Sequence, residues 1–318
     1  MLKKIALVLL SVVLVVYLLR QIDVRQVFRV MAGIPPAYIA AGFVSFILGH
    51  MFRALRFKVL LGDKAPLGGL FSIIAVQTAA VGFLPLRSGE FSLMYLLKRE
   101  YDVDYATGTA VLVLAKALDL LFVVTLFFIS FRTLTVIPHF LRQLLPWAGM
   151  LFFLTAGSLI LLGRAREIYA RLPGFFREGP IAGHAIMRGA RKVFKGAEVI
   201  RSKKTLVESL ALTAVLWVFL YFASFFVYMG LGLKLTLLEM AFITTSFSLF
   251  ANLPIHSPGG FGTMESFWVL LLTAMGVPKT DAIATGFASH LVSIGFALIF
   301  MLYGLRLILK KKDTASDG

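Results

Sequence analysis

Apolar residues in this chain run on continuously rather than alternate with polar ones. Leu2–Leu19, Tyr38–Leu48, Ala110–Phe131, Trp147–Leu162, Leu206–Met229 and Ala282–Leu305 are each largely or wholly apolar. A bilayer core about 30 Å thick takes roughly 20 such residues as a helix, whereas a membrane strand takes about 10 in alternation. The pattern predicts an all-α, polytopic transmembrane helical bundle, with residues 1–318 forming a single integral membrane domain.

Two apolar stretches are interrupted rather than ended. Leu67–Leu84 breaks at Leu84-Pro85-Leu86-Arg87-Ser88-Gly89-Glu90 before a short helix leads to Lys98 and Arg99. Leu237–Leu253 breaks at Asn252-Leu253-Pro254-Ile255-His256-Ser257-Pro258-Gly259-Gly260-Phe261-Gly262, and Thr263–Met275 follows. Proline ends a helix and glycine permits turns and close approach, so each break predicts a re-entrant hairpin of two half-helices. Ser88 and Thr263 are candidate N-caps of the second half-helices.

Charge adds orientation. Lys plus Arg number 32 against 16 acids, for a net charge of +16. The basic residues gather just outside the apolar runs, as on the cytoplasmic flanks of membrane helices, which argues against nucleic-acid binding. Lys3 and Lys4 place the N-terminus inside. The uncleaved first span leads to a short interfacial helix over Asp23–Met31, with Val24, Val27, Phe28 and Met31 on one face. The second span, about Pro36–Phe57, returns to Arg53, Arg56, Lys58 and Lys64 as cytoplasmic flanks. Residues 164–204 carry eleven basic side chains against three Glu. With an apolar stripe from Ile186 to Ile200, they predict a basic amphipathic loop on the cytoplasmic leaflet.

Six full spans and two hairpins result, with both termini in the cytoplasm, a multi-pass protein of the cell (inner) membrane and a cytoplasmic tail over 306–318. Residues 36–131 (span, hairpin, span) match 206–305 in element order and enter from opposite faces by charge placement. That is an inverted repeat with paired broken helices, a pointer to a transporter with a site near the midplane.

Converging half-helix N-termini would form an anion site inside the membrane, and phosphate is the anion most available there. Arg87, Ser88, Gly89 and Glu90 lie at the first tip. His256, Ser257, Gly259, Gly260, Gly262 and Glu265 lie at the second. Arg87 suits phosphate because a guanidinium binds it at two points. Glu90 and Glu265 shape the cavity, couple to protons, or cap their helices. Lys116 and Asp119, three apart on an otherwise apolar span, are either functional or a structural ion pair locking two helices. No cofactor or metal site is indicated, since there is no cysteine and the five histidines lack metal-ligand spacing. Ser257 beside His256 has no orienting acid, and Gly259–Gly262 has no P-loop lysine. These absences speak against an enzyme.

Phe83-Leu84-Pro85-Leu86-Arg87-Ser88-Gly89-Glu90, Lys116-Ala117-Leu118-Asp119-Leu120 and Ser257-Pro258-Gly259-Gly260-Phe261-Gly262 with Glu265 together resemble the signatures of a known family. It is the lysylphosphatidylglycerol synthase transmembrane region, also called the flippase-like or UPF0104 family. The chain departs from it at Ala115-Lys116, where Glu-Arg is usual, at Gly82-Phe83, where Asn often precedes Leu-Pro, and near Leu93, where a basic residue is common. The synthase's cytosolic domain has no counterpart here. The resemblance implies a lipid flippase-like transporter of an anionic phospholipid or polyprenyl-phosphate-linked lipid, with membrane lipids as partners. A synthase or glycosyltransferase is a further possible partner. An anion channel, or an accessory subunit of a lipid-linked glycosyl or aminoacyl transfer system, are the alternatives.

Overall fold

The computed structural model describes residues 24–132, 139–163, 203–252 and 258–316. Side chains of a few residues within these ranges, Pro85, Leu86 and Arg87 among them, are also undescribed. Several sequence expectations fall outside the described residues: the first span, nearly all of the amphipathic loop, and His256 and Ser257.

The described residues form ten helices and no strand. They are α1 (Val24–Ala32), α2 (Pro36–Leu61), α3 (Leu67–Phe83), α4 (Phe91–Tyr101) and α5 (Tyr105–Phe131), then α6 (His139–Gly163), α7 (Lys203–Gly230), α8 (Leu237–Ala251), α9 (Thr263–Ala274) and α10 (Lys279–Ser316). Local chemistry sets their ends. Prolines open α2, whose first-turn N–H groups need no intrahelical partner, and Gly62 closes it at φ 65°. Asp104 caps α5 by accepting from the Thr107 N–H. Thr236 and Glu239 form a reciprocal capping box on α8.

Among the described residues, four segments are long and apolar enough to cross a membrane: Pro36–Lys64, Tyr105–Phe131, Lys203–Gly230 and Lys279–Leu309. The span expected at 146–162 lies within α6. α10 continues as helix to Ser316, because Leu305–Lys312 holds good helix formers and no Gly or Pro. The expected interfacial helix forms, but Val27 buries against Ile283, Phe287 and Ala288 of α10, while Phe28 stays exposed.

The two broken hairpins pack reciprocally. α2 lies along α7, α3 packs on α10, and α8 packs on α5. Thus the opening spans of 36–131 and 206–305 meet each other, and each hairpin's first helix rests on the other unit's closing span. The cores follow suit. Phe300 of α10 joins the cluster of Phe57, Leu70, Leu93 and Leu118, and Phe127 and Phe131 of α5 join that of Phe242, Trp268 and Leu271.

Candidate functional site

The breaks lie where the half-helices turn back. Pro85–Glu90 is a 3-10 turn, and Pro258–Gly260 is another. The two turns touch, and α3 also contacts the second. Sequence chemistry dictates both bends. A Cβ at Gly89 would lie 2.2 Å from the Ala80 backbone, so only glycine lets the turn fold against α3. Gly259, Gly260 and Gly262 all have positive φ (68°, 73° and 81°), which L side chains resist.

The expected caps are placed differently. Ser88 lies inside the first turn and is exposed, while the N-cap of α4 is Glu90 without a side-chain cap. Thr263 is the first residue of α9, and its hydroxyl donates to the Gly260 carbonyl. The cap position is Gly262, whose N–H donates to Glu265 Oε2 at 2.7 Å. A glycine has no oxygen to accept the N3 amide, so only the glutamate half of a capping box forms.

Each tip carries a glutamate paired with a base on its unit's closing span. Lys116 Nζ of α5 donates to Glu90 Oε1 at 2.8 Å. His290 Nδ1 of α10 lies 2.5 Å from Glu265 Oε1. The separations along the chain are nearly equal, 26 and 25 residues. Glu265 is 1% exposed. His290 went unnoticed in the sequence; the signal for it was this spacing, once the two units are superposed in order.

Lys116 and Asp119 do not pair with each other alone but hold separate partners. Asp119 accepts from both guanidinium nitrogens of Arg56, at 2.6 and 3.2 Å, and from Trp217 Nε1 at 3.0 Å. Arg56 also donates to the Thr213 hydroxyl at 2.9 Å and is only 1% exposed. The expectation that Arg56 is a water-facing flank is therefore corrected. A guanidinium buried among helices needs a carboxylate, and Asp119 supplies it. The overlooked signal was a polar stripe, His50, Arg53 and Arg56, at intervals of three on α2.

Two cavities adjoin these groups. One of about 330 Å³ is lined by Arg53, Arg56, Gln77, Thr78, Lys116, Asp119 and Asn252 among others. The other, about 290 Å³, is lined by Phe46, Tyr228, Phe247, Trp268, Glu265 and His290 among others. Trp217 and Ser248 border both. The first is the more basic, with three cationic side chains against one carboxylate on its wall. Such a wall can hold a phosphate by charge and by donors from several helices.

Comparison with known proteins fits these signatures. The profile described as lysylphosphatidylglycerol synthase TM region matches residues 4–300. The chain belongs to that family. A UPF0104 membrane protein of Methanocaldococcus jannaschii is 21% identical over 332 residues, covering 99% of this chain and 98% of that protein. The glycosyltransferase AglD of Haloferax volcanii is 27% identical over 116 residues, 36% of this chain but 19% of the relative. No solved structure matches. Family membership and the apolar helices together make this a multi-pass integral membrane protein.

Proposed function

We propose that this protein is a flippase-like lipid transporter that moves an anionic phospholipid or polyprenyl-phosphate-linked lipid across the cytoplasmic membrane. The observation that carries this is the basic cavity of about 330 Å³ within the bundle, walled by Arg53, Arg56 and Lys116. Charges among apolar spans cost several kcal/mol and mark substrate pathways more often than they mark scaffolding. Lys116, Arg87 of the first turn, and the N-termini of α4 and α9 bind the phosphate. Asp119 holds Arg56 in place. Both termini are cytoplasmic, and the six spans and two hairpins form an inverted repeat. The reciprocal packing of the two units and their equally spaced Glu–base pairs support that repeat. Rocking one unit on the other exposes the site to each face in turn.

The test uses the full chain in liposomes with fluorescent phosphatidylglycerol or a fluorescent polyprenyl phosphate. Wild type is expected to move lipid at least about tenfold faster than empty liposomes, a barrier difference of ~1.4 kcal/mol, and Arg87→Ala to lose that gain. Rates equal to empty liposomes for every anionic lipid defeat the proposal. Small-anion conductance without lipid would favour a channel instead. The partial likeness to AglD favours a second possibility, service to a glycosyltransferase partner, which predicts that glycosylated lipids move faster than bare ones.

A further inference from the structure

We infer that Glu265 and His290 form the proton-binding site that couples this transport to a proton gradient; the inference rests on the transport proposed above. The two units differ at one equivalent place. The glutamate of the first tip meets a lysine, Lys116, and that of the second meets a histidine, His290. An ammonium stays charged across the physiological range, whereas an imidazole changes charge between about pH 5 and 8. One unit therefore holds a permanently neutral pair. The other holds a pair whose total charge is −1 with a neutral imidazole and 0 with a protonated one.

The geometry places that switch on the moving part. Glu265 Oε1 occupies His290 Nδ1, and Oε2 accepts the Gly262 N–H. The ring nitrogen left to take a proton is Nε2, which lies on the side of Gly260, where an added Cβ would come within 3.7 Å of it. The Phe261 ring sits over the imidazole with centroids 4.8 Å apart. The pair thus touches Phe261 and Gly262 of the second tip, so adding a proton acts directly on the segment beside the turn that meets the first hairpin.

Among the described residues, no charged side chain other than the pair lines the cavity beside it. α8 presents Thr244 and Ser248 to the cavity, and its Glu239 is held at the far end by Thr236. α7 presents Tyr228, hydrogen-bonded with Thr244 and Ser224. α2 presents Phe46, and its His50 is stacked on Phe300 of α10. α3 carries no charged residue, and α1 brings Arg25 and Arg29 against α10. Arg87 and Glu90 belong to the turn that contacts the second tip, and His256 lies outside the described residues.

Charge balance fixes the direction. A phosphodiester brings −1, and one proton on His290 removes −1 from the pair. The loaded, protonated site and the empty, deprotonated site then carry the same total, so both can cross the low-dielectric interior at similar cost. Lipid and proton travel together, one for one.

The experiment uses the full chain in liposomes with fluorescent phosphatidylglycerol, a pH-reporting dye inside, and an imposed pH gradient. Wild type is expected to move lipid several-fold faster from the acidic side and to carry protons only when that lipid is present. His290→Lys, which copies the first unit, is expected to show one rate with and without the gradient and no proton flux. Wild-type lipid movement indifferent to the gradient, or a gradient response kept in His290→Lys, overturns the inference. If wild type moves no lipid, transport itself fails, and melting in detergent decides the site. A wild-type melting temperature that shifts between pH 5 and 8, with a flat His290→Lys, supports proton binding; equal profiles refute it.

Discussion

The guanidinium of Arg56 grips the carboxylate of Asp119 from 63 residues away, through two nitrogens at 2.6 and 3.2 Å. This pair joins α2 to α5, and Thr213 and Trp217 bring α7 into the same knot. Opposite charges at close range in a buried setting hold three helices at one point beside the basic cavity.

Removing one partner leaves a buried charge uncompensated. Arg56→Met and Asp119→Leu alone are each expected to destabilise by roughly 3–5 kcal/mol, and the double variant by much less. Thermal unfolding of the purified protein in detergent checks this. A double variant no better than the singles shows that the pair is not the coupled unit described.

The tip pair Glu90–Lys116 adjoins the cavity rather than filling the core, with Lys116 about a third exposed at 37%. Lys116→Ala is expected to lower lipid movement about tenfold while shifting the melting temperature little, and Lys116→Arg to recover most of the rate. Equal losses in rate and stability would make the lysine a scaffold residue.

Gly89 has no room for a side chain, since an added Cβ meets Ala80 C and O at 2.2 Å. Gly89→Ala is expected to cost at least about 1–3 kcal/mol as overpacking, whereas Gly82→Ala, with open space around it, costs little. Comparing their yields of folded, monodisperse protein in detergent checks this.

Asp104 lies at the mouth of α5, outside the spanning segment, and its pKa is lowered by the Thr107 hydroxyl and backbone N–H that donate to its carboxylate. Its folded value lies below its unfolded one, so its stabilisation is present above the ordinary carboxylate range and fades as pH falls through the lowered value. Asp104→Ala is expected to cost about 0.5–2 kcal/mol at neutral pH and Asp104→Ser much less. Melting curves at pH 7 and pH 3 check this, with the gap between wild type and Asp104→Ala shrinking at the lower pH.

The long apolar helices and the two breaks were legible along the chain because each rests on local features: apolar run length, Pro and Gly positions, and caps such as Thr236 with Glu239. The same local logic fell short where polar side chains look across the bundle. Lys116 and Asp119 lie three residues apart on one helix, and their sequence left open whether they are functional or part of an ion pair locking two helices. The hairpin tip, and α2 with α7, supply them with different partners. Arg56 sits at the end of an apolar run, as a flanking charge would, and only the proximity of α5 makes it a core residue.

By itself the sequence determined that this is a helical membrane protein with two interrupted hairpins, because burial of apolar runs and termination by Pro and Gly are decided within a few residues. Which acid meets which base was decided only by the tertiary structure. Asp119 finds Arg56 through the packing of helices 63 residues apart, and Glu265 finds His290 across the neighbouring α9 and α10. In a medium that solvates no charge, those pairings follow from which helices come to lie side by side.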